Sequence, residues 1–311
     1  MTRPGVRPDN TPLTVANSRQ PAETSDTGVG DPPARAVTPL LPGPADATPC
    51  YLVHPVGGGL LCYLPLARAL SARHPVRGIS SPLLAGHPVS GELSALAADY
   101  AARIDADSTG PCLVGGWSFG GAAAFETARR LTAHDRVVRL LVLLDAPPPG
   151  SSTDPMDDDT LARQFLYEVR RMNGMSDDEA RAASASDPLA AAADELARVD
   201  PDAGPEETAR RFDTFSRHSR SLIGHRPAHP HSGPALVVDT QPADGGEPRG
   251  AGWLPHLSGP VHRLTLPTDH FGLMGPASAE AIAAAVQSAH AAAVEHAHAA
   301  AVERAPLGDA P

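Results

Sequence analysis

The octapeptide Gly115-Gly116-Trp117-Ser118-Phe119-Gly120-Gly121-Ala122 is where this chain concentrates residues that can do chemistry. A short apolar run, 112–114, leads into it and a helix-forming run, 122–131, leads out, so one serine sits on a sharp strand-to-helix turn. Gly116 and Gly120 have a steric reason to be there. A side chain at either position would collide with neighbouring backbone at a turn this tight. The turn lifts the serine hydroxyl above a sheet edge, with the helix N-terminus behind it. That geometry suits attack on an acyl carbon. A glycine-rich loop with an incidental serine is the bland alternative, and the flanking strand and helix argue against it.

A serine hydroxyl needs a base to take its proton, and the base needs an acid to hold its tautomer. The turn resembles the nucleophile elbow of the α/β-hydrolases, and that resemblance implies partners in the order serine, acid, histidine, on loops at strand ends. The chain has 14 histidines, but only His270 lies between the last recognisable strand and the last helix. His54 also follows a strand, yet precedes the serine. His225, His229 and His231 fall in a proline-rich connection and are expected to be solvated, and His290, His296 and His298 to decorate an exposed helix. Neither histidine group has a recognised metal-ligand spacing, so no metal is expected. Two positions compete for the acid. Asp145 ends the strand after the elbow helix, whereas Asp239 and Asp244 follow the next strand. Asp269 adjoins His270 and reads as a turn residue.

The oxyanion of a tetrahedral intermediate needs two N–H donors. One is expected from Phe119, directly after the serine. The other is expected from the loop Pro55-Val56-Gly57-Gly58-Gly59, with Val56 N–H as the donor. The same loop invites comparison with a dinucleotide fingerprint. That reading fails, because Cys62 stands where a third glycine is needed and Ser80 and Ser81 where an acidic residue is needed.

The elements that must position these residues alternate. Strands are expected at 50–54, 76–80, 112–114, 139–144, 235–239 and 261–266, with helices at 60–70, 93–104, 122–131 and 277–304. Alternation of this kind implies an α/β fold, a mostly parallel sheet covered on both faces by helices; with the elbow, this is the α/β-hydrolase pattern. The alternation breaks after Asp145. From about 150 to 234 the chain reads as helical and acidic, with Phe165, Leu166, Val169 and Met172 on one apolar face, and it is expected to form a lid over the active edge. Residues 1–46 are rich in proline and poor in large apolar residues, so they are expected to be a disordered arm or linker before a domain at 47–311.

A net charge of −11 with no basic stripe argues against nucleic acid. All 25 basic residues are arginine, which excludes a Schiff-base lysine and a phosphate-gripping P-loop lysine. Three cysteines, Cys50, Cys62 and Cys112, lie in apolar contexts and fit buried thiols of a reducing compartment. There is neither a membrane-length apolar run nor a signal-like N-terminus, so a soluble cytoplasmic protein is expected.

Taken together, the opening His54-Pro55-Val56-Gly57-Gly58-Gly59, the elbow Gly116-Trp117-Ser118-Phe119-Gly120-Gly121, Leu143-Leu144-Asp145 and Asp269-His270-Phe271 resemble the thioesterase domains of nonribosomal peptide synthetases and polyketide synthases. The resemblance spans about residues 48–290. It implies a triad of Ser118, His270 and Asp145, the acid placed as in the releasing kind of domain. The stand-alone editing (type II) kind would place it near Asp239 or Asp244. It also implies an acyl or peptidyl thioester delivered on the phosphopantetheine of a carrier protein, with no cofactor of the enzyme's own, and release by hydrolysis or macrocyclisation. Thr268 departs from the glycine the family usually has before Asp-His. A general carboxylesterase and a non-catalytic carrier-binding protein are the readings from other classes.

Overall fold

The computed structural model describes residues 37–304, apart from 88, 152–153, 183–184 and 243–244. The chain runs β1 (Thr38–Leu41), β2 (Cys50–Val53), α1 (Leu64–Leu70), β3 (Val76–Ile79), α2 (Leu93–Asp107), β4 (Cys112–Trp117), α3 (Phe119–Ala133) and β5 (Val138–Leu144). Four helices follow without a strand: α4 (Asp158–Met172), α5 (Asp177–Ala182), α6 (Pro188–Val199) and α7 (Pro205–Ser221). The chain then returns to the sheet as β6 (Ala235–Thr240) and β7 (Val261–Leu266), and ends in α8 (Pro276–Arg304). Strand order is β1-β3-β2-β4-β5-β6-β7, parallel throughout except for the antiparallel edge strand β1.

The continuous apolar runs are explained by the pleat. Successive residues of a strand face opposite sides of the sheet, so a sheet covered on both faces needs apolar residues at every position. Tyr51, Val53, Cys112, Val114, Leu141, Leu143, Ala235 and Val237 join one core with α2 and α3. Their neighbours Cys50, Leu52, Leu113, Leu140, Val142, Leu144, Leu236 and Val238 join a second core with α1 and α8. A third cluster lies within the insertion, where Leu161, Phe165, Leu166 and Val169 of α4 meet Ala192, Leu196 and Phe215. Met172, expected on that face, is 52% exposed, because it sits at the C-terminal end of α4.

Order begins earlier than the composition implies. Residues 1–36 of the expected arm lie outside the described residues, but β1 falls inside the 1–46 range and pairs with β3, with Leu40 and Leu41 against the α1/α8 core. The strand contains Pro39, which an edge position tolerates because one side of its backbone needs no ladder partner. Helix α1 also starts later than 60; a short 3₁₀ turn, Leu61–Tyr63, precedes it and Pro65 sits in its first turn. None of the described helices is long and apolar enough to cross a membrane.

Candidate active site

Ser118 stands between β4 and α3 with φ 57° and ψ −127°, a backbone conformation that costs a side-chain-bearing residue about 1–3 kcal/mol. Packing on both sides holds it there. A Cβ on Gly116 would be driven into the backbone of Gly120, and one on Gly120 into the carbonyls of Val53 and His54. The Ser118 N–H is held by the Leu144 carbonyl at 2.9 Å, which ties the turn to the next strand.

Directly after that strand, Asp145 also turns with positive φ, 41°, and its N–H bonds the Val238 carbonyl at 2.7 Å. Its buried carboxylate accepts a 2.5 Å bond from His270 Nδ1. Burial alone would push this carboxyl up. The hydrogen bond and charge of His270, with Arg249 and Thr240 behind, outweigh burial and hold it below the usual carboxylate range. With Nδ1–H committed to Asp145, the imidazole keeps its lone pair on Nε2, the atom a general base must present.

The histidine loop is gripped from two directions. Trp117, the residue before Ser118, donates its indole N–H to the His270 carbonyl at 3.1 Å and packs its ring 4.7 Å from the imidazole. From the insertion, Arg171 pairs with Asp269 and lies 4.8 Å over the Phe271 ring, which Tyr167 meets edge-on at 5.9 Å. Asp269 caps the same turn by accepting Gly272 N–H at 2.7 Å, the turn role expected of it. Glu168, also on α4, has its carboxyl pushed up by burial and lies close enough to feel the His270 charge. Trp117, Arg171 and Tyr167 carry no sequence signal for this work, since each acts on a loop about 100 to 150 residues away.

The other acid candidates lie elsewhere or outside the described residues. Asp239 is buried at the end of β6, where Oδ1 accepts Gly250 N–H at 2.7 Å and Oδ2 faces Arg263 at 3.9 Å; burial, with Asp145 nearby, pushes it up. Asp244 lies outside the described residues. Among the described residues, no three His, Cys, Asp or Glu side chains converge as a metal site. His225 instead bonds Glu126 at 3.1 Å, and His231, expected in solvent, is buried with both ring nitrogens unpartnered. His290 is half-buried and lies 5.3 Å from His74. Cys62 is a poor rival nucleophile, because burial pushes its thiol up to about 12.

Both residues expected to donate to the oxyanion follow the C-terminal ends of adjacent parallel strands, β2 and β4. Phe119 is the first residue of α3, and Val56 follows β2 in a loop whose Pro55 carbonyl accepts Gly58 N–H at 2.9 Å. Val56 packs between the α2/α3 core and the insertion's own cluster. A cavity of about 720 Å³, lined by Arg129, Arg130, Arg217, Arg220 and Arg226, touches neither Ser118 nor His270.

Several known proteins are similar to this chain. A 274-residue stretch is 27% identical to the orsellinic acid synthase of Beauveria bassiana, covering 78% of this chain and 12% of that protein. A 120-residue stretch is 37% identical to a non-reducing polyketide synthase of Cladonia metacorallifera, covering 38% of this chain and 6% of the relative. The chain therefore spans only a small part of the curated relatives it matches. Among solved structures, a four-domain nonribosomal peptide synthetase bound to AMP and glycine superposes with a TM-score of 0.70 at 27% identity, over 82% of this chain and 20% of that one. The Vlm2 thioesterase domain shares the fold at a TM-score of 0.62 and 21% identity, over 81% of this chain and 96% of its own. The family model described as "Thioesterase domain" matches residues 48–289, and the chain belongs to that family.

Proposed function

We propose that this chain releases an acyl or peptidyl group from the phosphopantetheine thioester of a carrier protein through an acyl-serine intermediate. Ser118 Oγ attacks the thioester carbon while His270 Nε2 takes its proton. Asp145 keeps the imidazole in that tautomer and offsets the charge it gains. The oxyanion is received by the N–H groups of Val56 and Phe119. Collapse breaks the C–S bond, and the proton held by His270 leaves on the phosphopantetheine thiol. In the second half, water or a nucleophile within the acyl chain attacks the ester, His270 takes its proton, and Ser118 regains one as the C–O bond breaks. Water gives a free acid; an internal hydroxyl or amine gives a ring.

The observation that carries this reading is the 2.5 Å bond between buried Asp145 and His270 Nδ1, made at the same sheet edge as the strained Ser118 turn. The place of Asp145, after β5 and directly before the insertion, favours the releasing kind of domain over the editing kind. Carrier-bound substrate is inferred from the polyketide and peptide synthase relatives. Intact-protein mass spectrometry with a synthetic acyl thioester tests the mechanism. Wild type should gain one acyl mass, and Ser118→Ala should gain none while remaining folded. An adduct persisting on the Ala variant would refute the assignment of Ser118. The mass of the released product separates hydrolysis from ring closure, and comparison with a soluble aryl ester separates a thioesterase from a general carboxylesterase.

A further inference from the structure

Behind the Val56 loop lies a buried group of rings that the triad does not use. His54 and His218 face each other at 4.7 Å, and Phe119 stacks on His218 at 4.6 Å and on His54 at 5.5 Å. All three are almost wholly excluded from solvent. His54 belongs to the loop after β2, Phe119 opens α3, and His218 comes from α7 of the insertion. Three separate parts of the chain thus meet beside the two expected oxyanion donors.

The hydrogen bonds give this stack a direction. Each trans peptide is a rigid plane, so fixing a carbonyl fixes the N–H on the same plane. The Pro55 carbonyl shares its plane with Val56 N–H, and it accepts from His54 Nδ1 at 2.7 Å and from Gly58 N–H at 2.9 Å. The next plane carries the Val56 carbonyl, which accepts from His218 Nδ1 at 2.7 Å. The two planes flanking the Val56 Cα are therefore each anchored by one imidazole. The far nitrogens are committed as well. His54 Nε2 meets the Tyr100 hydroxyl at 2.6 Å, and His218 Nε2 meets Ser81 Oγ at 3.1 Å. Ser81 in turn donates its N–H to the Gly58 carbonyl at 3.0 Å, closing the ring of contacts around the loop. Burial pushes His218 down to about 4 and His54 well below its ordinary value, so both stay neutral and Nδ1 carries the single proton.

We propose that His218 is a positioning residue for the oxyanion hole: by fixing the plane that follows the Val56 Cα and by stacking on the Phe119 ring, it steadies the two segments that carry the N–H donors. The inference rests on the reading of Val56 and Phe119 as the donors. It adds that helix α7 completes the hole. The insertion then acts on the chemical step as well as on access, because an undocked α7 frees the plane that follows the Val56 Cα and takes one of the two stacked imidazoles from Phe119. Thr214, one turn earlier on α7, seals the same contact; a Cβ on Gly58 would lie 3.1 Å from its methyl group.

The test compares an acyl thioester with the dithioester of the same acyl group, in which sulfur replaces the carbonyl oxygen. Sulfur accepts hydrogen bonds poorly, so the ratio of the two rates reports how well the hole is aimed. His218→Phe keeps a ring and loses the donor. Its kcat on the oxygen substrate should fall roughly 10- to 100-fold, less than the full loss of a donor and in line with a misplaced one. KM should change less than about three-fold, and the oxygen-to-sulfur ratio should compress by about five-fold or more. His218→Asn, which can return an N–H near the place of Nδ1, should recover most of the lost rate. A folded His218→Phe with the wild-type ratio and kcat would overturn the proposal. If that variant does not fold, Ser81→Ala decides: it keeps the imidazole but frees Nε2, so the same compression should appear at a smaller rate loss, and an unchanged ratio refutes the idea. Ser118→Ala, run in parallel, separates the two levels. Turnover there would remove the acyl-serine reading and this inference with it, whereas a dead Ser118→Ala beside an unmoved ratio in His218→Phe would sink the inference alone.

Discussion

Asp145→Asn is the substitution whose outcome separates this assignment of the acid from its neighbour. Asp145 is 4% exposed, and His270 Nδ1 lies 2.5 Å from Oδ2. When His270 takes the Ser118 proton, the imidazolium and carboxylate charge centres are about 3.5 Å apart, and an effective dielectric near 20 makes their attraction about 5 kcal/mol. Each 1.36 kcal/mol is tenfold in rate, so losing the charge alone predicts a fall of about 10³- to 10⁴-fold in kcat. The amide adds a second fault. If its NH₂ faces Nδ1, the ring proton is forced onto Nε2 and the base faces the serine with no lone pair, a defect that costs about 10⁴-fold in serine protease triads. Both routes give a loss of the same order, so the prediction does not depend on how the amide rotates.

The assay is steady-state thioester hydrolysis, with thermal melting to confirm the fold. Asp239→Asn is the control, because that carboxylate holds Gly250 N–H and faces Arg263. It should leave kcat within a few-fold of wild type, and Asp244→Asn should do the same. An active Asp145→Asn beside a dead Asp239→Asn or Asp244→Asn would refute the reasoning and move the chain to the editing kind of acid placement.

Two further outcomes concern stability. His231 and His218 are each pushed down to about 4 by burial, whereas an unfolded chain takes the same protons near 6.5. Between those values the unfolded state binds the extra protons, so stability should fall with pH by about 3 kcal/mol per histidine. His231→Met should be neutral or stabilising at pH 7, because both ring nitrogens are buried without partners, and should flatten that acid slope; denaturant melts from pH 7 to 4 check it, and an unchanged slope would contradict it. Deleting residues 1–46 removes β1 and strips the outer edge of β3, so it should lower the melting temperature by several degrees relative to a deletion ending at residue 36. Equal melting temperatures would show that β1 contributes nothing to the fold.

What could be read in the sequence follows how local each cause is. The turn at Ser118 is imposed by Gly116 and Gly120 within five residues, so the pentapeptide and its flanking runs announce it. Strands buried on both faces show as unbroken apolar runs because the pleat requires them. The choice among acids was not local, because Asp145 and Asp239 both end buried parallel strands. Only the fold brings one of them within 2.5 Å of His270 Nδ1, a partner 125 residues away. The burial of His231 is likewise set by contacts distant in sequence. Its neighbourhood of prolines and glycine looks solvated, yet it is buried, and its backbone is tied to Leu257 by a bridge and to Ser258 N–H through its carbonyl. Pro39 hid β1 because one proline is decisive in a central strand and permitted at an edge.

Read as sequence, 150–234 is an amphipathic stretch that offers a lid and nothing finer. In the structure its side chains reach the two loops that matter from opposite ends. Arg171 and Tyr167 on α4 hold the histidine loop, and His218 on α7 holds the Val56 carbonyl 162 residues away. Those two helices pack on each other through Phe165 and Phe215, whose rings are 5.5 Å apart. A rigid-body movement of this pair would therefore disturb the His270 loop and the Val56 loop together. A lid that merely covered the site would leave both in place when it opened. The contacts favour coupling over simple cover, because neither loop has its full set of partners without the insertion.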